Sequence, residues 1–172
     1  VEDNTMEHVG GGVLVCSMYT PNTHLAPDAA PGTAGNQYSS NISVKNNRIV
    51  ISNTDKINGK SWKGYGIQIQ GSKVNANAAG IPEGIYKVTN VTVENNLLSD
   101  VGNAICANNG GRTLNVASTD NKITGNIINN TLNDGIYIGT GSTGTVISKN
   151  DVGVSNKSGI VVLDSKKCQV IS

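Results

Sequence analysis

An asparagine-centred repeat restricts this chain to very few architectures. Four segments share an apolar–x–apolar pair, two further residues, Asn, one residue and an apolar residue: ISVKNNRI at 42–49, VTVENNLL at 91–98, NKITGNII at 121–128 and TVISKNDV at 145–152. A Gly or Ala then leads into a second apolar–x–apolar pair. It reads GVLV at 12–15, GIQI at 66–69, AICA at 104–107, GIYI at 135–138 and GIVV at 159–162. Alignment produces a column of Asn4, Asn47, Asn96, Asn126 and Asn150, which lie 8, 19, 8, 9 and 9 residues before the Gly or Ala. A register kept through five copies is the signature of a solenoid.

Each copy reads as three short strands: A before the Asn, B after it, and C from the Gly or Ala. Alternation along a strand assigns the inward side chains. Strand A supplies Ile42, Val44, Val91, Val93, Ile123 and Ile147; strand B supplies Met6, Ile49, Leu98, Ile128 and Val152. Strand C supplies Val13, Val15, Ile67, Ile69, Ile105, Ala107, Ile136, Ile138, Ile160 and Val162. No single coil encloses a core, but coils stacked at roughly 4.8 Å make three continuous parallel sheets around one apolar column. Composition agrees with a narrow interior: 21 glycines, no phenylalanine and 3% aromatic residues leave mostly Val and Ile to fill it.

The asparagine column fits the tight turn between strands A and B. Asn tolerates left-handed backbone geometry. Its amide can also donate to the equivalent Asn one coil away, forming a ladder in which Asn4, Asn47, Asn96, Asn126 and Asn150 are scaffold. The expected fold is therefore all-β: a single-stranded right-handed parallel β-helix of five coils, with an Asn ladder and long loops flanking one sheet. The whole of 1–172 reads as one such domain, an excerpt of a longer chain or one whose ends other chains cover.

This repeat resembles the right-handed parallel β-helix superfamily, which includes pectate lyases, polygalacturonases, alginate epimerases and phage tailspikes. The resemblance implies a polysaccharide partner bound in a trough beside one sheet, and an extracellular or virion-surface location. It also implies a homo-oligomer, a trimer if the chain is of tailspike type. Named-family motifs are missing. The NTD at 53–55 has no companion motif, and Arg48 and Arg112 are the only arginines, too few for the pectate-lyase arginine motif.

Function on a repeat scaffold lives in its insertions. Four interrupt this one, at about 17–40, 53–65, 71–89 and 108–120. They flank strand C and raise walls along its outer face. The outward row there is Leu14, Gln68, Cys106, Tyr137 and Val161, preceded by Gly11, Tyr65, Asn103, Asp134 and Ser158. Candidate catalytic residues are Asp100 and Asp134, in the B–C turns of neighbouring coils, and His8, which follows Glu7 in the matching turn of the first. Spacing puts the two carboxylates roughly 5–10 Å apart, the range of paired acid/base groups. Candidate substrate-binding residues are Trp62 and Tyr65 for sugar stacking, Lys63 and Arg112 for substrate carboxylates, and Gln68, Asn103 and Tyr137 on the trough floor.

Other classes find no support. The net charge of +1 and the lack of a dense Lys/Arg patch argue against nucleic acid. No apolar run approaches the ~18 residues of a membrane span. Cys16, Cys106 and Cys168 lie far apart without metal-ligand spacing, so neither metal nor other cofactor is expected. The leading expectation is a polysaccharide depolymerase, glycosidase or lyase, acting in the strand-C trough. The alternative is a non-catalytic stalk or glycan-binding adhesin module.

Overall fold

The computed structural model describes residues 1–7, 11–16, 37–51, 55–57, 60–62, 64–74, 84–108, 118–139 and 141–172. At 37–38, 55–57, 60–62, 72–74, 84–86 and 108 it describes backbone alone. The first coil holds β1 (Thr5–Glu7) and β2 (Val13–Cys16). The second holds β3 (Gln37–Lys45), β4 (Arg48–Val50), β5 (Asp55–Ile57), β6 (Lys60–Trp62), β7 (Ile67–Gln70) and β8 (Ser72–Val74). The third holds β9 (Gly84–Glu94), β10 (Leu97–Ser99) and β11 (Ile105–Asn108). Next come β12 (Lys122–Thr124), β13 (Ile127–Asn129) and β14 (Ile136–Ile138), then β15 (Val146–Ser148), β16 (Asp151–Val152) and β17 (Ile160–Val162), and last β18 (Gln169–Ile171).

These strands stack into three parallel sheets: A (β3-β9-β12-β15-β18), B (β1-β4-β10-β13-β16) and C (β2-β7-β11-β14-β17). Successive coils add one strand at a time to each sheet, so the chain is a single-stranded parallel β-helix. Two antiparallel additions decorate it. The insertion between β4 and β7 carries the hairpin β5–β6, and β8 folds back on the start of β9. β3 and β9 begin at Gln37 and Gly84, so the ends of the insertions drawn at 40 and 89 contribute paired strand.

Alternation decides what is inside. Ile49, Leu98 and Ile128 form one column, Ile67, Ile105 and Ile136 a second, and Val44, Val93, Ile123 and Ile147 a third. All of these are buried. Each fully buried side chain of this size contributes roughly 1.5–3 kcal/mol. The columns persist to Ile160 and Val162, yet these are 37% and 42% exposed, because no further coil covers them in sheet C.

The ladder forms as the repeat implies. Asn4 Nδ2 donates to Asn47 Oδ1 at 3.0 Å, Asn47 to Asn96 at 2.9 Å, Asn96 to Asn126 at 2.9 Å and Asn126 to Asn150 at 2.8 Å. Each acceptor oxygen takes a second bond, from the backbone N–H of the same donor residue. One expectation needs correcting. The left-handed residue is the one before the ladder asparagine: Asp3, Asn46, Asn95, Gly125 and Lys149 all have φ between 54° and 64°. That residue makes the bend, which frees the ladder side chain to point inward.

A second left-handed column, Asn41, Asn90, Asp120, Gly144 and Lys167, marks a corner one turn earlier. It lies within β3 and β9, whose pairing resumes on both sides of it. The Gly/Ala column before strand C has a different cause. A Cβ on Gly12 would lie 2.1 Å from the Gly66 carbonyl oxygen, and one on Gly66 would lie 2.5 Å from Leu98 Cδ2 and 2.7 Å from the Ala104 oxygen. Stacked coils approach too closely here for a larger side chain. Gly66→Val should therefore cost about 2–3 kcal/mol by overpacking. A urea midpoint equal to the parent's would contradict this packing.

Candidate functional site

The outer face of sheet C collects side chains from successive coils. Register places Leu14, Gln68, Cys106, Tyr137 and Val161 in one row. Beside it, backbone bonds from Gly12 N–H to the Tyr65 carbonyl and from Gly66 N–H to the Asn103 carbonyl set a second row. This row continues through side chains. The Asp134 N–H donates to Asn103 Oδ1 at 3.0 Å, and the Ser158 N–H donates to Asp134 Oδ1 at 3.2 Å.

Cys106 stands in the outward row but is fully buried. Burial and then the Asp134 carboxylate push its thiol up to about 12. Tyr65 and Tyr137 both sit close enough to be affected by Cys106. Burial raises each phenol first; Cys106 and Tyr137 add to this at Tyr65, and Cys106, Asp134 and Asp164 at Tyr137. Tyr65, Cys106, Asp134 and Tyr137 thus lie near one another in the two rows of this face, with Gln68 and Asn103 in the same rows. A cavity of about 230 Å³ opens beside it, lined by Gly11, Gly12, Val13, Leu14, Gly64, Tyr65 and Gln68.

The raised thiol gives a signed pH prediction. Neutral Cys106 is favoured in the folded state, so its stabilisation is complete below an ordinary 9.0 and is lost as pH rises toward about 12. Cys106→Ala should flatten the fall in melting temperature across that window. An unchanged alkaline slope would mean that the thiol is not shielded.

The sequence candidates divide. Asp134, Tyr65, Gln68, Asn103 and Tyr137 share this face. Asp100 does not join them through a hydrogen bond: it lies in a left-handed turn at φ 56°, and its carboxylate accepts from the Asn130 amide. Asn130, also left-handed at φ 53°, is thus its counterpart in the next coil, four residues before Asp134. Glu7 lies in β1 rather than in a turn, and its carboxylate accepts from Arg48 Nε at 2.9 Å. Trp62 belongs to β6, where its backbone pairs with Asp55, and its ring is outside the description. His8, Lys63 and Arg112 lie outside the described residues.

Sequence reasoning passed over Cys106 and Asp164 as functional neighbours. Cys106 was legible from alternation, which already placed it in the outward row. Asp164 follows strand C of the last coil, where its carbonyl accepts from the Gly141 N–H at 3.2 Å and its charge raises the Tyr137 phenol. Among the described residues no cluster of His, Cys, Asp and Glu could hold a metal ion. Compared with known proteins, the chain matches no family model, no curated protein and no solved structure.

Proposed function

We propose that the protein is a carbohydrate-active parallel β-helix, a polysaccharide depolymerase whose substrate lies along the outer face of sheet C. The observation that carries this reading is the joint placement of Tyr65, Gln68, Asn103, Asp134 and Tyr137 on one face, drawn from three consecutive coils. Tyrosine rings cover the C–H faces of sugars, amides serve the hydroxyls, and a carboxylate can transfer a proton at a glycosidic oxygen. Asp134 is the acid/base residue in this reading. A polysaccharide substrate fits an extracellular or virion-surface protein, assembled as a homo-oligomer if it is of tailspike type.

A second reading has its own support. Asn103 and Asp134 also tie successive coils together through backbone N–H groups, as scaffold residues do. In that case the protein is a stalk or adhesin whose face binds glycan without cleaving it. The test is a panel of neutral and acidic bacterial polysaccharides, followed by reducing-sugar release, absorbance of unsaturated uronates and binding calorimetry. Cleavage supports the depolymerase, and binding alone supports the adhesin. Tyr137→Ala should weaken binding about tenfold, the equivalent of one stacking contact near 1.4 kcal/mol. If no polysaccharide is bound or cleaved, both readings fall.

A further inference from the structure

We infer that the cavity between Gly11, Tyr65 and Gln68 is a subsite for one uncharged pyranose ring. This rests on the polysaccharide reading above and narrows it to one place and one class of sugar. The first argument concerns Gly11. Its neighbour Gly12 is glycine by necessity, because a Cβ there would strike the Gly66 carbonyl. At Gly11 a Cβ would meet nothing within 4 Å, and its backbone is not left-handed. The fold does not require glycine at position 11. A Cβ there would stand in open space, so glycine leaves this edge of the cavity unobstructed.

Size and lining supply the second argument. At about 230 Å³ the cavity is on the scale of one sugar ring with its hydroxyls. Leu14 and the half-buried Tyr65 ring present apolar surface to the C–H face of a sugar. Gln68 Nε2 donates to Gln70 Oε1 at 3.2 Å, which orients the amide and leaves its oxygen and second N–H for hydroxyls. The Tyr65 phenol, protonated at neutral pH, can donate as well as accept. No charged side chain among the described residues lines the cavity, so among them a sugar carboxylate would find no counter-ion. An amphipathic, uncharged ring fits this lining.

The test uses the full chain and the methyl pyranosides of glucose, galactose, mannose, rhamnose and N-acetylglucosamine, with methyl glucuronide as the charged comparison. Saturation-transfer NMR and titration should show at least one neutral glycoside binding, in preference to the glucuronide. Gly11→Leu should weaken it more than tenfold with no change in melting temperature. Gln68→Ala, which adds no atoms, should weaken it several-fold. Lys122→Ala, on sheet A, should leave it unchanged. Equal binding by Gly11→Leu and the parent, or a preference for the glucuronide, overturns the subsite. If long polysaccharides bind but no methyl glycoside does, the subsite is wrong while the polysaccharide reading stands. If neither binds, both are lost.

Discussion

Asn96→Leu is expected to lower unfolding free energy by about 3–5 kcal/mol, because at least two buried polar groups lose their partners at ~1–3 kcal/mol each. The Asn96 oxygen accepts from both Asn47 Nδ2 and the Asn47 backbone N–H, each at 2.9 Å. Its own amide donates to the Val44 carbonyl and to Asn126 Oδ1, both at 2.9 Å. Asn47, Asn96 and Asn126 are all buried, so water cannot replace these bonds. For a domain of this length the loss corresponds to a melting-temperature drop on the order of 10 °C. Asn95→Gly is the matched comparison. Asn95 is exposed and left-handed at φ 54°, a conformation glycine adopts freely, so this change should stay within about 0.5 kcal/mol. Equal effects from the two substitutions would locate the stabilisation in the turn and not in the ladder.

The second large effect is catalytic. On any polysaccharide that the parent cleaves, Asp134→Asn should reduce turnover by about 10²–10⁴, the usual loss on removing a positioned general acid or base. The fold should survive the change, since an Asn oxygen can still accept from the Ser158 N–H. Asp100→Asn should leave turnover near the parent value, because Asp100 is occupied in its turn with Asn130. Turnover and melting curves measured together decide the assignment. Full turnover by Asp134→Asn would remove it from the acid role, and a large loss from Asp100→Asn alone would assign that role to Asp100.

Asp100 and Asp134 show where sequence spacing stops being informative. Both follow strand B, at offsets of 4 and 8 residues from their ladder asparagines. Spacing alone made them neighbours across one coil step. The B–C turns, however, align their first residues, so Asp100 faces Asn130, and Asp134 falls into register with Asn103 and Ser158. Cys106 is a parallel case. Alternation set it facing outward, but between Gln68 and Tyr137 in its row it is fully buried, and no feature of the sequence states that. The left-handed column was displaced by one residue for a related reason. Asn is equally compatible with the bend and with the ladder, and only the backbone torsions separate the two roles.

The sequence by itself determined the architecture: three strands per coil, five ladder asparagines, the inward Val and Ile columns, and the small residues before strand C. It could do so because these features depend on local alternation and on one repeating contact between equivalent positions, both of which appear directly as periodicity. The tertiary structure alone decided what meets on the outer face of sheet C. The distances from the Gly or Ala of strand C to the next ladder asparagine shorten through 35, 30, 22 and 15 residues, so spacing along the chain no longer maps onto height in the stack. Which turn residue faces which, which outward side chain is covered, and where a cavity remains then follow from how unequal turns pack against an otherwise regular helix.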